Sequence, residues 1–378
     1  MRHLIHICFG IILFTCHAQD KPKVIDVSVI ESVVTPKHYI ISKISEDITV
    51  DGKASELSWE NASFTDYFID IEGIKEPKYK TKTKMLWDDQ FIYVYAELSE
   101  PHIWGTLKQR DTIIYYNNDF EVFIDPSQTG IRYGEIEINA LNTVWDLYLN
   151  KPYRIGGHAN FEWNLNKLKS AVQIHGSLNT PNDIDSLWTV ELAIPIKPLI
   201  ALKNRPKSAP KEGEQWRINF SRVQWGHDII DGQYYRKKED GKFLPEYNWV
   251  WSNQKVINMH EPEKWGVLQF TENSNTQNIP FIQDADLLIK QTAFSLFRKT
   301  RYKDLKYLLN EPQGNSKILN VLISKDNSIT VMFYKTLFGF EYEIKSPITD
   351  ITYIINQEGS LKALRNEPVQ NFIIQRND

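Results

Sequence analysis

The stretch NNDFEVFIDPSQTGIRYGEIEINALNTVWDLYLN, residues 117–150, shows acidic side chains that alternate with apolar ones. A period of two residues is typical of β-strands, in which successive side chains point to opposite faces. We therefore predict that 119–125 and 135–141 pair as a hairpin across the turn-rich segment PSQTGIRYG. One face of this hairpin would carry carboxylates from both strands, among them Glu121 and Glu137.

Carboxylates on neighbouring strands repel one another unless a basic side chain, a hard cation or open water offsets their charge. Basic partners are available in WRINFSRVQW, residues 216–225, where Arg217 lies on one face of a predicted strand. Arg222 departs from that alternation, so a β-bulge is expected near Ser221. Three interpretations stay open: a solvated acidic face with a structural ion, a glycosidase pair of carboxylates, or the floor of a sugar-binding cleft.

The composition is that of an ordinary globular protein, with 378 residues, 42% hydrophobic and 24% charged. A net charge of −4 and the lack of a long basic stripe argue against a nucleic-acid partner. Both cysteines, Cys8 and Cys16, fall in the N-terminal leader. We therefore expect a mature chain without disulfides or cysteine-based metal sites, whose stability depends on a large core.

The N-terminal segment MRHLIHICFGIILFTCHAQD is typical of a signal peptide covering residues 1–18, with cleavage after Ala18. Its apolar run, 4–15, is too short for a transmembrane span. The alternative is a lipoprotein signal with Cys16 as the lipid anchor. The predicted location is therefore secreted or periplasmic, with a membrane-anchored lipoprotein as the alternative.

Strand signals dominate most of the remaining chain. Residues 19–40 resemble a spacer, and 41–271 contain many short alternating strands with polar turns and no βα rhythm, which predicts an all-β antiparallel sandwich. Residues 272–283 resemble a linker. Apolar residues at helical spacing, followed by further strands, predict a small α+β appendage over 284–378, in which no functional site is apparent.

Several aromatic residues, including Tyr116 and Trp225, lie near predicted strand ends or loops, where they suit stacking on the C–H faces of sugar rings. The dipeptide Met259-His260 contains two residue types that serve as haem axial ligands. No HExxH spacing, P-loop, Rossmann fingerprint or G-x-S-x-G elbow occurs.

Seven motifs occur in an order typical of one family. They are VDGKASELSWENA (50–62), MLWDDQFIYVYAEL (85–98), NNDFEVFIDP (117–126), EIEINALNTVWD (135–146), WTVELAIP (188–195), WRINFSRVQW (216–225) and NWVWSNQKVINMHEPEKWGVLQF (248–270). Over about 41–270 the chain resembles the carbohydrate-binding module family 9-like domain, particularly the secreted versions of Bacteroidetes. The resemblance implies a jelly-roll-like antiparallel β-sandwich that binds sugars, calcium as a bound ion (Ca2+), and no catalytic residues in the module.

The family holds the reducing end of a glycan between two aromatic rings, while charged and amide side chains bind its hydroxyls. In this sequence the resemblance places Tyr116 and Met259 at the two aromatic positions. It places Glu121 at the acidic contact and Glu137 where the family has an arginine, which makes the surface more acidic. The predicted carbohydrate-binding residues are Tyr116, Glu121, Glu137, Asn139, Arg222, Trp225 and Met259.

The sequence is therefore interpreted as a secreted, non-catalytic protein that binds an oligo- or polysaccharide in polysaccharide utilisation. Two alternatives stay open. One is a glycoside hydrolase that uses Glu121 and Glu137 as its carboxylate pair. The other is a haem-binding electron-transfer β-sandwich.

Overall fold

Strands form most of the regular structure in the computed structural model, which describes residues 24–204 and 206–366. The predicted leader, with Cys8 and Cys16, lies outside these residues. There are three α-helices in the described ranges: α1 (Leu57–Asn61), α2 (Ile196–Leu202) and α3 (Leu287–Tyr302). In chain order the strands are β1 (Val24–Ser28), β2 (His38–Lys43), β3 (Ile69–Asp70), β4 (Thr81–Trp87), β5 (Phe91–Ser99), β6 (Asp119–Asp125), β7 (Tyr133–Asn139), β8 (Val144–Leu149), β9 (Ala159–Asn160), β10 (Lys169–His175), β11 (Leu187–Pro195), β12 (Gln215–Gln224), β13 (His227–Ile230), β14 (Gln233–Arg236), β15 (Lys238–Glu239), β16 (Lys242–Phe243), β17 (Tyr247–Val250), β18 (Gly266–Thr271), β19 (Ser316–Leu322), β20 (Ser328–Lys335), β21 (Phe340–Lys345), β22 (Ile351–Asn356) and β23 (Leu361–Arg365).

The larger sheet has 13 strands, in the order β10-β11-β5-β4-β2-β18-β12-β6-β7-β8-β9, with β17 beside β12 and β3 beside β17. Its pairs are antiparallel except those that β2 makes with β18 and β4. One edge of β12 pairs with β18 over its first half and with β17 over its second half, so the sheet divides at this strand. The result is the all-β sandwich predicted from the sequence.

The core of the sandwich lies between its two halves. Val94 and Leu192, from β5 and β11, belong to the same buried cluster as Val122 and Phe220, from β6 and β12. The alternation in β6 explains this placement, because its residues of even number face the core and its residues of odd number face the opposite side. That opposite side is where the functional candidates lie.

The hairpin predicted from the opening stretch is present. Strands β6 and β7 are antiparallel, with Glu121 directly opposite Glu137 and Asp119 opposite Asn139. All seven residues of each strand are buried, so the acidic face is a covered surface rather than an open, solvated one.

The C-terminal part of the chain forms a second unit, as predicted. Strands β19 to β23 form an antiparallel meander, and α3 packs on it through Phe294 and Phe297. The sixth strand of this sheet is β1, which pairs with β19 in parallel. This corrects the interpretation of 19–40 as a spacer: Val27 joins the core of the C-terminal unit, so 24–28 are part of that unit. In the described part of the chain, no helix combines the length and apolar character that crossing a membrane requires.

Candidate ligand cleft

A cleft of about 580 Å³ lies over the acidic face of β6 and β7. The strand register creates its floor, because Glu121 and Glu137 are direct cross-strand neighbours and Glu135 lies opposite Phe123. Strand β8 adds Trp145, which pairs with Glu137. The lining residues used below are Tyr115, Glu121, Phe123, Glu135, Glu137, Trp145, Tyr153, Phe161, Glu246, Met259 and His260.

Four buried carboxylates crowd this floor. Asp119 Oδ1 accepts a hydrogen bond from the Val223 amide at 3.2 Å, and Glu137 Oε2 accepts one from the Tyr115 amide at 3.0 Å. Asp119 Oδ2 and Glu135 Oε2 are buried and have no hydrogen-bond partner within residues 24–204 and 206–366. Among the described residues, no lysine, arginine or histidine forms an ion pair with these four carboxylates.

Burial disfavours the charged form of these groups. Burial raises the pKa of Glu121 to about 7. Burial first, and repulsion by neighbouring carboxylates second, raise the pKa of Asp119, Glu135 and Glu137 well above the usual range. Without a positive charge nearby, the cluster therefore retains protons near neutral pH.

The predicted basic partners do not reach this cluster. Strand β12 pairs with β6 without a bulge, so Arg222 faces the core side of the sheet. Its guanidinium donates to Glu100 Oε2 at 2.8 Å and to Thr81 Oγ1 at 3.1 Å. Arg217 donates to the Trp265 carbonyl at 3.0 Å. The prediction that Arg222 lies in the cleft is therefore wrong, because the strand alternation is unbroken.

Three further predicted residues lie outside the cleft. Asn139 is fully buried and stabilises the following turn, since its Oδ1 accepts from the amides of Leu141 and Thr143. Trp225 is also buried, and its Nε1 donates to the Tyr115 carbonyl. Tyr116 lines a neighbouring cavity of about 950 Å³. The amide of Asn139 and the indole of Trp225 therefore stabilise the fold through these hydrogen bonds.

Glu121, Glu137 and Met259 are the predicted residues that do line the cleft. Met259 is buried, and its carbonyl accepts a hydrogen bond from Trp265 Nε1. Next to it, His260 Nδ1 lies 2.9 Å from the Tyr133 hydroxyl. The structure thus brings together the two glutamates from the hairpin and the distant Met259-His260 segment.

The predicted carbohydrate-binding residues do not include Trp145, Tyr153 or Phe161, three aromatic residues of the cleft. The rings of Trp145 and Phe161 are stacked with centroids 5.5 Å apart, and Phe161 is 57% exposed. Tyr153 is 42% exposed and contacts His260 edge to face. The strand register could have located Trp145, because it pairs with Glu137. Phe161 follows a strand of two residues, and no periodic pattern points to it.

Fold and cleft together define a β-sandwich domain with a cleft that combines aromatic rings and acidic groups. Residues 50–219 match the family model described as carbohydrate family 9 binding domain-like. The match confirms the resemblance that the order of motifs in the sequence predicts.

Three solved structures that align with the chain each share 14% sequence identity with it. A carbohydrate-binding module family 9 from Caldicellulosiruptor kristjanssonii in complex with cellotriose aligns over 65% of this chain and 100% of that chain, with a TM-score of 0.41. The same module with glucose aligns over 64% and 100%, with a TM-score of 0.40. A protein from Bacteroides uniformis aligns over 63% and 100%, with a TM-score of 0.47. No curated protein matches the chain significantly.

Proposed function

We propose that the chain is a non-catalytic glycan-binding protein that is exported for polysaccharide utilisation, and that the sugar binds in the cleft over β6 and β7. The family of residues 50–219 supports a carbohydrate ligand. The observation that carries the proposal is the stacked Trp145–Phe161 pair at the edge of a cleft with a carboxylate floor.

The chemistry of this cleft suits a sugar. The partly exposed rings of Phe161 and Tyr153 offer flat apolar surfaces to the C–H faces of a pyranose ring. Glu121 and Glu137 offer acceptor oxygens for hydroxyl groups. A volume of about 580 Å³ lies within the usual range for small-molecule sites. Each sugar ring therefore finds both an apolar contact and a polar one.

The test is binding of the mature chain to a broad array of plant and algal glycans, followed by calorimetry on each glycan that binds. Phe161→Ala should weaken binding by about threefold to tenfold, the value expected for one lost aromatic stacking contact. Phe338→Ala is the matched control, because Phe338 is an exposed phenylalanine of the C-terminal unit. It should bind as the wild type does.

Two outcomes would contradict the proposal: no binding to any glycan, or equal loss in the two phenylalanine variants. Release of reducing sugar that Glu121→Gln abolishes would instead favour the hydrolase alternative. A Soret band after haem reconstitution would favour the electron-transfer alternative.

The proposed export rests on the sequence of residues 1–18. A secreted chain should begin at Gln19 when the mature protein is analysed by mass spectrometry. A lipid-modified Cys16 at the N-terminus would favour the membrane-anchored alternative.

A further inference from the structure

A second cavity, of about 950 Å³, lies beside the cleft over β6 and β7. Tyr115 lines the cleft and Tyr116 lines this second cavity. Their rings meet edge to face with centroids 5.0 Å apart. Only a pair of adjacent aromatic side chains therefore separates the two spaces at this point, and a chain of linked sugars can reach both.

Two short hairpins, β13–β14 and β15–β16, form one wall of this cavity. Each turns through an Asp-Gly pair with positive φ at both residues, Asp231-Gly232 and Asp240-Gly241, which is typical of tight two-residue β-turns. Both hairpins lie outside the large sheet and beyond residues 50–219, which the family model matches. The family resemblance therefore does not account for this wall.

Apolar side chains around the cavity are exposed to solvent. Ile230, Tyr235 and Phe243 belong to the hairpins, and Tyr116 precedes β6. Exposed apolar side chains gathered at one place mark binding surfaces in soluble proteins. The flat rings among them suit the C–H faces of sugar rings, as in the neighbouring cleft.

Arg236 indicates which kind of ligand the cavity suits. Its guanidinium lies 4.0–4.7 Å from the ring centroids of Phe243, Trp225 and Tyr116. The side-chain hydrogen bonds made by arginines in the described structure belong to other arginines, so none involves Arg236. Aromatic contacts hold a guanidinium in place without using its N–H groups, which stay available for an anion.

The charge of the cavity is positive. Among its described lining residues, Lys108, Arg236 and Lys238 are basic and Asp228 alone is acidic. None of these four side chains forms an ion pair within residues 24–204 and 206–366. The cavity is thus the electrostatic opposite of the neighbouring cleft, whose floor consists of carboxylates.

Trp104 adds a buried donor that lacks an acceptor. Its side chain is 3% exposed and lines the cavity, and its Nε1 has no hydrogen-bond partner in the described part of the chain. Stacking on the ring of Tyr234, with centroids 6.2 Å apart, orients the indole. An indole N–H only donates, so the missing partner is an acceptor such as an oxygen. Buried polar atoms without a partner are rare in native proteins, which supports a ligand with acceptor oxygens here.

We propose that this cavity binds an acidic sugar residue, which carries a carboxylate or a sulfate ester, of the glycan that occupies the cleft over β6 and β7. The inference rests on the proposed function and narrows its ligand to acidic polysaccharides. Carboxylate and sulfate share the relevant chemistry, because both offer anionic oxygens to the N–H groups of Arg236. The rings of Tyr116 and Phe243 supply the apolar contact to the same sugar.

The experiment compares matched pairs of oligosaccharides by calorimetry on the full-length mature protein. Polygalacturonate and alginate oligosaccharides are each paired with their carboxyl-reduced counterparts, and carrageenan and fucoidan oligosaccharides with their desulfated counterparts. Wild type should bind the charged member of at least one pair about tenfold more tightly than its neutral counterpart. The pairs that show this preference identify carboxylate or sulfate as the recognised group.

Arg236→Met should weaken binding of the charged member by about tenfold and that of the neutral member by less than about twofold, because it removes the guanidinium and keeps an apolar side chain. Lys237→Met is the matched control, since Lys237 is the exposed neighbour of Arg236 and does not line the cavity. It should bind both members within about twofold of wild type, which separates direct contact from general positive charge. Melting curves report whether both variants fold.

Equal affinity for the charged and neutral members of every pair would overturn the inference. An equal loss in Arg236→Met and Lys237→Met would overturn it too. In either case, neutral-glycan binding that Phe161→Ala weakens would leave the proposed function standing. Binding of charged glycans that Arg236→Met weakens and Phe161→Ala leaves unchanged would instead support the cavity and overturn the cleft over β6 and β7 as the sugar site.

Discussion

His260 is a histidine of the cleft wall whose surroundings disfavour its charged form. Its ring contacts Phe123, Tyr133 and Tyr153. Burial lowers the pKa of His260 to about 4, with Arg154 as a second cause. The side chain is therefore neutral at pH 7, and the Met259-His260 segment enters the cleft as an uncharged surface.

This depressed pKa predicts a pH-dependent stability. The unfolded chain takes up a proton at His260 near pH 6.5, whereas the folded chain resists it down to about pH 4. His260 should therefore lower the free energy of unfolding by about 2 kcal/mol at pH 5 relative to pH 7, a contribution opposite in sign to that of buried carboxylates such as Glu121, whose raised pKa stabilises the folded chain as the pH falls. Urea unfolding at pH 5 and pH 7 measures the effect as the difference between wild type and His260→Gln.

His158→Gln serves as the control, because His158 is exposed. Its unfolding should keep the wild-type difference between the two pH values. If His260→Gln keeps that difference as well, the buried environment assigned to His260 is wrong.

The buried side chain of Arg222 joins the ends of three strands through an ion pair and a hydrogen bond. Arg222 of β12 binds Glu100, which follows β5, and also Thr81 at the start of β4. Its guanidinium also lies over the rings of Tyr79 and Trp249, at centroid distances of 5.6 and 5.2 Å. Arg222 therefore holds together the two halves of the sandwich at one end.

Arg222→Met should destabilise the protein by about 3–5 kcal/mol, because it leaves the carboxylate of Glu100 buried without its partner. Adding Glu100→Gln removes that charge and should recover a large part of the loss. Denaturant unfolding of the two single variants, the double variant and the wild type measures the coupling between the residues. Independent, additive effects in the two single variants would contradict the assignment of a shared buried pair.

Much of the hairpin architecture was predictable, because strand period alone places Glu121 and Glu137 on one face. The sequence places Arg222 in the cleft only if a bulge interrupts the alternation of β12. The alternation is unbroken, and the buried arginine stays on the core face because Glu100 pairs with it. Phe161 was missed for a different reason. The cleft assembles from separate loops, and a single sequence does not show which loops meet.

The C-terminal unit packs behind two segments of the cleft. Tyr153–Ile155 is a short 3₁₀ helix in which Tyr153 faces the cleft while Ile155 packs against the core of the C-terminal unit. Lys151 forms an ion pair with Glu358 of that unit at 2.7 Å. The C-terminal unit therefore positions the loop that carries Tyr153.

The second segment carries Met259 and His260. A few residues later, Glu263 pairs with Arg298 of α3, and its carbonyl accepts a hydrogen bond from Gln291 Nε2 at 3.1 Å. Arg298 also lies 3.3 Å from Glu261. A side chain of α3 thus holds the cleft segment in place without touching the ligand surface itself.

Arg298→Met should consequently weaken glycan binding by about threefold to tenfold although Arg298 does not line the cleft. The change removes the partner of Glu263 and should also lower the free energy of unfolding by about 2 kcal/mol, since the pair is only partly buried. Arg301→Met is the control, because Arg301 lies on the same helix but is exposed. Calorimetry and urea unfolding of both variants measure the two effects. Wild-type glycan affinity in Arg298→Met, together with reduced stability, would show that the C-terminal unit stabilises the fold without positioning the cleft.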